Sequence, residues 1–125
     1  MSVSSSYKVY VLEQLQVGGP ITAKSMFGGV GLYRRGLFFG LMDNDTLFLK
    51  VDDSNRPDYQ QAGTQPFQPY GDGSYSMQYY EVPADVLEDR ETLHRWVEKA
   101  VAVARKARGR KKKPARGRKR GGGAQ

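Results

Sequence analysis

The residues with the most evident chemistry in this 125-residue chain are eleven lysines and arginines near its C-terminus. They are Arg105, Lys106, Arg108, Arg110, Lys111, Lys112, Lys113, Arg116, Arg118, Lys119 and Arg120. No Asp or Glu follows Glu98, and the run contains no aromatic residue. A cation that neutralises a phosphate releases a counterion, so binding by such a run weakens steeply with salt. Because the run has no aromatic and no acidic side chain, it offers no evident contact to base edges. The run therefore predicts binding to the backbone of nucleic acid, with DNA favoured over RNA.

The charge of the chain is divided between this run and the rest. The whole chain holds 20 basic and 13 acidic residues, for a net charge of +7, whereas residues 1–104 hold 9 basic and 13 acidic residues, or −4. Blocks of like charge repel one another and stay disordered. We predict one folded domain over residues 1–104 and a disordered Lys/Arg-rich tail over residues 105–125. The alternatives for the tail are a solubility segment and binding to an anionic membrane, but no apolar anchor accompanies the charge.

Two further groups of residues could contact nucleic acid. Arg34 and Arg35 lie at a predicted hairpin tip, where they form either a secondary phosphate contact or a solubilising turn. Five aromatic residues of the predicted strands could offer a surface for stacking bases: Phe38, Phe39, Phe48, Tyr79 and Tyr80. Adjacent strand residues face opposite sides, so at least one of each pair should lie in the core. We favour the core interpretation, because the acidic body would repel phosphates.

The sequence lacks complete motifs for catalysis or metal binding. With no cysteine, thiolate chemistry is excluded, and His94 is the only histidine. His94 and Glu98 supply two of the three or four ligands that zinc needs, so we interpret His94 as a partly exposed structural residue. Asp43–Asp45 resembles the start of a calcium loop, but Leu47 and Phe48 stand where an EF-hand needs Asp or Asn and then Gly. We expect a non-enzymatic protein with no catalytic residue, metal or cofactor.

A glycine-rich stretch also falls short of a phosphate loop. Gly29 and Gly31 fit the first two positions of a dinucleotide fingerprint, but Arg34 takes the third. Gly31 and Gly36 have the spacing of a P-loop, but Leu37 replaces its lysine. We favour the interpretation that these glycines permit a bulge or close packing of a helix on the sheet.

The order of predicted elements indicates an α+β domain. Ser4–Ser6 can cap a helix near residues 5–17, and strands are predicted near 26–33, 37–42, 46–51 and 75–82. The short turns between the first three strands require antiparallel neighbours, and hence a meander. A short helix is predicted near 57–62.

The C-terminal helix has the clearest local pattern. Asp89 is its predicted N-cap, and an apolar stripe includes Leu93, Trp96 and Ala104, with Trp96 predicted to anchor the helix on the sheet. We predict that the helix ends near Ala104, because the stripe stops there and Gly109 begins a series of helix breakers.

Several blocks together resemble the N-terminal domain of the TfoX/Sxy family, whose members are known as regulators of bacterial competence genes. The blocks are Met26–Tyr33, Gly36–Leu41, Leu47–Asp52, Gly63, Pro66-Phe67, Tyr70, Tyr79–Pro83, Leu87–Asp89, Leu93 and Trp96. The resemblance covers roughly residues 7–104. It implies a small α+β domain with an antiparallel sheet between N- and C-terminal helices, and a regulatory role. Full-length competence regulators carry a second helical domain, which this chain replaces with the basic tail.

These observations lead to one leading hypothesis and one alternative. The leading hypothesis is a cytoplasmic, TfoX-like regulator of transcription or competence, whose body contacts a protein partner such as the transcription machinery while the tail holds nucleic acid. The alternative is a protein-interaction or scaffold domain with no nucleic-acid role. Residues 1–6 have neither a basic nor an apolar leader region, which favours the cytoplasm over export. The oligomeric state does not follow from the sequence.

Overall fold

The computed structural model describes residues 3–26, 28–68 and 75–117. Four α-helices are present in these ranges: α1 Ser5–Leu15, α2 Arg56–Ala62, α3 Ala84–Glu88 and α4 Arg90–Gly117. A 3₁₀ turn, Gln16–Gly18, follows α1. The strands are β1 Thr22–Met26, β2 Gly29–Arg34, β3 Leu37–Asp43, β4 Thr46–Lys50, β5 Pro66–Phe67 and β6 Ser76–Glu81. The predicted α+β fold, with an antiparallel sheet between terminal helices, is confirmed.

The six strands form one antiparallel sheet in the order β1-β2-β3-β4-β6-β5. The first four strands follow one another as the predicted meander. Arg35 and Gly36 join β2 to β3 with φ angles of 52° and 79°, and Asn44 and Asp45 join β3 to β4 with φ angles of 51° each. Two consecutive left-handed residues match the twist of a tight hairpin, which explains why such short loops suffice.

The core lies between the helices and one face of the sheet. Phe39 and Leu49 are fully buried there, with Tyr80 at 4% exposure, and they pack with Val11 of α1 and Val97 of α4 in one cluster. The prediction that adjacent aromatics separate is confirmed, because Phe39 and Tyr80 enter the core whereas their neighbours do not.

On the opposite face of the sheet, aromatic side chains contact one another. Phe38 stacks between Tyr33 and Tyr79, with ring centroids 5.1 and 5.7 Å apart, and Phe48 lies 4.9 Å from Phe67. These rings are half-buried by such mutual contacts. Pairs of this kind contribute about 0.5–1.5 kcal/mol beyond their burial, so the face has a structural role whether or not it binds a ligand.

The terminal helices begin where the sequence predicts. Ser4 caps α1, with its hydroxyl oxygen accepting a hydrogen bond of 3.2 Å from the Tyr7 amide. Asp89 caps α4 by accepting from the amides of Glu91 and Thr92. Asp89 is exposed, and these hydrogen bonds, those from Thr92 foremost, lower the pKa of its carboxyl. Unpaired amides at a helix start favour an acceptor there, which makes both caps predictable from sequence.

Trp96 packs against the core and contacts α2. Its ring meets Tyr59 edge-on, with centroids 4.6 Å apart, and Tyr59 in turn lies 5.7 Å from Tyr80 of β6. Tyr59 is 1% exposed, and burial raises the pKa of its hydroxyl well above the usual range. The aromatic chain therefore ties α4, α2 and the sheet together.

The prediction that the last helix ends near Ala104 is wrong, because α4 continues to Gly117. Ala, Arg and Lys are strong helix formers, and a single interior glycine such as Gly109 costs only about 1 kcal/mol. Val103 and Ala104 are buried, so the packed face reaches the end of the apolar stripe. The least favourable position of the extension is Pro114, since proline inside a helix costs about 3 kcal/mol. The expected disorder therefore does not hold for residues 105–117, and residues 118–125 lie outside the described residues.

Candidate nucleic-acid interface

The first three predicted tail cations lie on the helical extension of α4. Arg105, Lys106 and Arg108 are all exposed at the level of the whole residue. Arg105 and Arg108 are three residues apart and share one side of the helix, whereas Lys106 is turned toward another. Two of the three, Lys106 and Arg108, are already engaged with the body of the protein.

Lys106 forms an ion pair with Asp52, at the end of β4. Its Nζ lies 3.1 Å from Oδ2 of Asp52, and the lysine side chain is 51% exposed. The Asp52 carboxylate also accepts hydrogen bonds from the hydroxyl and the amide of Ser54. The pKa of Asp52 is lowered to about 2, first by the Ser54 hydroxyl and further by Lys106.

Arg108 connects the extension of α4 to the β2–β3 turn. Its Nη2 donates a hydrogen bond of 2.9 Å to the carbonyl oxygen of Gly36. Arg34-Arg35 and the tail are separate candidates in the sequence, yet the fold places them side by side. The contact spans 72 positions of sequence, and no local pattern signals it.

The two arginines of the turn have different environments. Arg35 is exposed, whereas the side chain of Arg34 is only 9% exposed and its Nη1 pairs with Oε2 of Glu98 in α4. The guanidinium of Arg34 also lies 6.0 Å from the ring centroid of Phe39. Of the two predicted secondary contacts, Arg35 is therefore placed at the surface and Arg34 between the sheet and α4.

Arg34 has donor groups that no protein atom satisfies. Its Nε and Nη2 are buried and have no hydrogen-bond partner, and the same holds for Nδ1 of His94, which stands 3.8 Å from Glu98. A Cβ atom at Gly18 would lie 2.4 Å from Nη2 of Arg34 and 2.7 Å from Nδ1 of His94. The absence of a side chain at position 18 is therefore what allows Arg34 to occupy this place.

A small pocket of about 170 Å³ lies beside Arg34 and Gly18. It is lined by Gly18, Arg34, Arg35, Leu37, Glu98, Val101 and Arg105. Three guanidinium groups and one carboxylate surround it, which leaves an excess of two positive charges. The three arginines were predicted as candidates, but no sequence pattern places them around one cavity.

A larger groove of about 1310 Å³ runs between the extension of α4 and the ends of β3, β4 and β6. Apolar residues of its wall include Phe38 and Val103, and Lys106 and Arg108 cross it to reach their partners. Tyr79 of the same wall has its pKa raised to about 12 by burial. Its neighbour Lys50 stands over the Tyr79 ring, 4.9 Å from the centroid.

The remaining cations of the predicted interface lie further along the chain. Five of them belong to the helical main chain that ends at Gly117: Arg110, Lys111, Lys112, Lys113 and Arg116. Three lie outside the described residues: Arg118, Lys119 and Arg120.

The described ranges 3–26, 28–68 and 75–117 contain no cluster of His, Cys, Asp or Glu that could hold a metal ion. Within the same ranges, no helix is both long and apolar enough to cross a membrane.

Comparison with known proteins identifies the folded part of the chain. No curated protein matches it. The family described as TfoX N-terminal domain matches residues 13–104, which run from within α1 to the buried Ala104 of α4. The match covers all six strands and excludes the cationic run that begins at Arg105. The chain therefore belongs to the TfoX N-terminal domain family.

Proposed function

We propose that this protein is a cytoplasmic, non-enzymatic regulator whose basic segment, residues 105–120, binds the phosphate backbone of nucleic acid. The folded body, in this proposal, contacts a protein of the transcription machinery. Membership of the TfoX N-terminal domain family supports a regulatory role in competence. The family is not a known enzyme family, which agrees with a binding function.

The observation that carries the proposal is the separation of charge along α4. The helix packs on the core as far as Ala104 and then continues through a run that holds no acid. A positively charged segment with no aromatic residue offers contacts to phosphates and none to base edges. Binding should therefore be independent of sequence, strongly salt-dependent, and stronger for duplex DNA than for a single strand, which carries the lower charge density.

A salt titration with two matched variants tests this proposal. One variant changes Lys111, Lys112 and Lys113 to Gln, and the control changes the exposed body residues Lys24, Arg95 and Lys99 to Gln, so both have a net charge of +4. The slope of log K against log salt should fall by about 0.9 for each phosphate that the variant no longer neutralises. We expect a clear fall for the tail variant and none for the control, measured by fluorescence anisotropy with a DNA duplex. Equal slopes for both variants and the intact chain would refute a role for the tail.

One observation favours the alternative function, a scaffold domain without a nucleic-acid role. Lys106 and Arg108 are engaged by Asp52 and Gly36 of the same chain, so part of the cationic run stabilises the fold. A scaffold should retain its protein partners after nuclease treatment of a cell extract, and the purified chain should not retard DNA even at low salt. Retardation at low salt that disappears at high salt favours the regulator.

A further inference from the structure

We propose that the pocket between Gly18, Arg34, Arg35 and Arg105 binds a phosphate group. The ligand class is a small phosphate-bearing anion, held by guanidinium groups from the β2–β3 turn and from α4. The site shares Arg105 with the basic segment of the proposed function but uses none of residues 106–120, and it does not depend on whether that segment binds nucleic acid.

The Arg34 side chain has donors to spare for such a ligand. A guanidinium has five N–H donors in a planar fork. The Arg34 side chain is 9% exposed, and Glu98 takes a hydrogen bond from Nη1 only, so Nε and Nη2 stay without a protein partner. Leaving a buried charged donor without an acceptor costs more free energy than leaving a neutral donor without one. An oxyanion in the pocket would satisfy these donors once the Arg34 side chain turned them toward it, because arginine matches phosphate geometry with two parallel hydrogen bonds.

The shape of the cavity suits the same ligand. Its volume of about 170 Å³ would hold about five water molecules or one phosphate group with a few waters. Gly18 forms part of its wall, and a Cβ there would come within 2.4 Å of Arg34 Nη2. The absence of a side chain at Gly18 thus leaves room for the Arg34 guanidinium at the edge of the cavity.

The balance of charge around the cavity favours an anion. Arg34, Arg35 and Arg105 contribute three positive charges, and Glu98 contributes one negative charge. The excess favours an anion with two negative charges, which phosphate carries near neutral pH. Glu98 competes with the ligand for Arg34, so affinity should be modest, with a Kd on the order of 1 mM.

The test is a titration of the full-length protein with inorganic phosphate at constant ionic strength. The readout is the ¹H–¹⁵N correlation spectrum, in particular the Nε–H signal of Arg34 and the amide signal of Gly18, because these report on the pocket and not on the tail. We expect saturable shifts of both signals. Absence of a saturable shift in either signal would show that the cavity holds water only, and would overturn the proposal.

Charge-neutral variants with a matched control sharpen the test. Arg35→Gln and Arg105→Gln alter exposed side chains, so both should fold, and each should weaken phosphate binding about threefold. Arg95→Gln removes the same charge from α4 ten positions before Arg105 and should leave the affinity unchanged. Glu98→Gln removes the competing charge and should tighten binding about threefold. Equal weakening by Arg95→Gln, or weakening by Glu98→Gln, would contradict a specific pocket.

Two further titrations distinguish the source of the phosphate. If a nucleoside monophosphate shifts the Arg34 and Gly18 signals and a DNA duplex does not, the pocket is assigned to a small phosphate ligand. If the duplex shifts these signals in the variant whose Lys111, Lys112 and Lys113 are changed to Gln, the pocket is assigned to a backbone phosphate. Either result supports the pocket, and it is independent of the salt slope that tests the tail.

Discussion

Arg108 and Gly36 are joined by a hydrogen bond of 2.9 Å from the guanidinium Nη2 to the main-chain carbonyl oxygen. Together with the ion pair between Lys106 and Asp52, this bond holds the first turn of the α4 extension against the ends of the strands. Residues that the sequence predicts to lie in a disordered tail thus contribute to the fold. The helix that carries them, and the buried groups near it, should respond to substitution in specific ways.

Substitutions at Gly109 should test the continuity of the helix. A Cβ at this position meets no atom within 4 Å, so Gly109→Ala should stabilise the helix by about 1 kcal/mol. Gly109→Pro should break it, because proline clashes with the preceding turn and costs about 3 kcal/mol. Far-UV circular dichroism at 222 nm should show more helix for the alanine variant and less for the proline variant. Identical spectra for the two variants would contradict a helix that passes through position 109.

The ion pair between Arg34 and Glu98 should respond asymmetrically to truncation. Glu98 is half-exposed and can be rehydrated, so Arg34→Met should cost about 1 kcal/mol. Glu98→Ala leaves a nearly buried guanidinium without its carboxylate and should cost about 3 kcal/mol. Urea denaturation of both variants and of the double variant measures these values, and the double variant should resemble Arg34→Met. A larger loss of stability for Arg34→Met than for Glu98→Ala would contradict this expectation. It would show that the Glu98 carboxylate needs its partner more than the Arg34 guanidinium does.

Acid should remove the contribution of Asp52 to stability. Its pKa in the folded state is about 2, below the ordinary value of 3.8, so its contribution is present above pH 4 and is lost as the pH falls toward 2. We expect the free energy of unfolding to fall by about 1 kcal/mol more in the intact protein than in Asp52→Asn across this range, after allowing for partial exposure. NMR titration of the carboxyl carbon measures the pKa directly. Ser54→Ala should raise this pKa more than Lys106→Gln, because the Ser54 hydroxyl is the larger cause.

Gly40 should tolerate no side chain. A Cβ there would lie 2.7 Å from the carbonyl oxygen of Phe48 on the neighbouring strand, and main-chain atoms of a central strand cannot move aside cheaply. We expect Gly40→Ala to destabilise the protein by about 2–3 kcal/mol. Gly63→Ala is the matched control: its site is open, with only the φ angle of 75° opposing a side chain, so the loss of stability should be about 1 kcal/mol. Thermal unfolding followed by circular dichroism compares the two, and a smaller effect at Gly40 than at Gly63 would contradict close strand packing.

Local chemistry explains which elements the sequence predicted. The Ser4 and Asp89 caps, the hairpin turns and the apolar stripe of α4 all arise from residues within one or two turns of each other. Strand β1 was not predicted from the sequence, because it lies at the sheet edge with mostly exposed residues and shows no apolar alternation. Helix α3 was not predicted either, because its five residues are too few to show a helical repeat of apolar positions. A pattern of burial cannot be recognised where little is buried.

The candidate site was predictable in its residue types but not in its geometry. A cationic run is visible in any sequence, and so is a pair of arginines at a hairpin tip. The contact between Arg34 and Glu98 spans 64 positions, and that between Arg108 and Gly36 spans 72. Such contacts follow from the packing of α4 across the sheet, so the pocket at Arg34 emerges only when the fold is known.

The length of α4 has an electrostatic consequence. Gly117 lies thirteen positions after the buried Ala104, and a rise of 1.5 Å per residue places the end of the helix about 20 Å beyond Ala104. At physiological ionic strength the field of a charge decays over about 8 Å. Polyanions gathered at the far end would therefore stand about two screening lengths from Asp52, the carboxylate that pairs with Lys106, and would feel little of its repulsion.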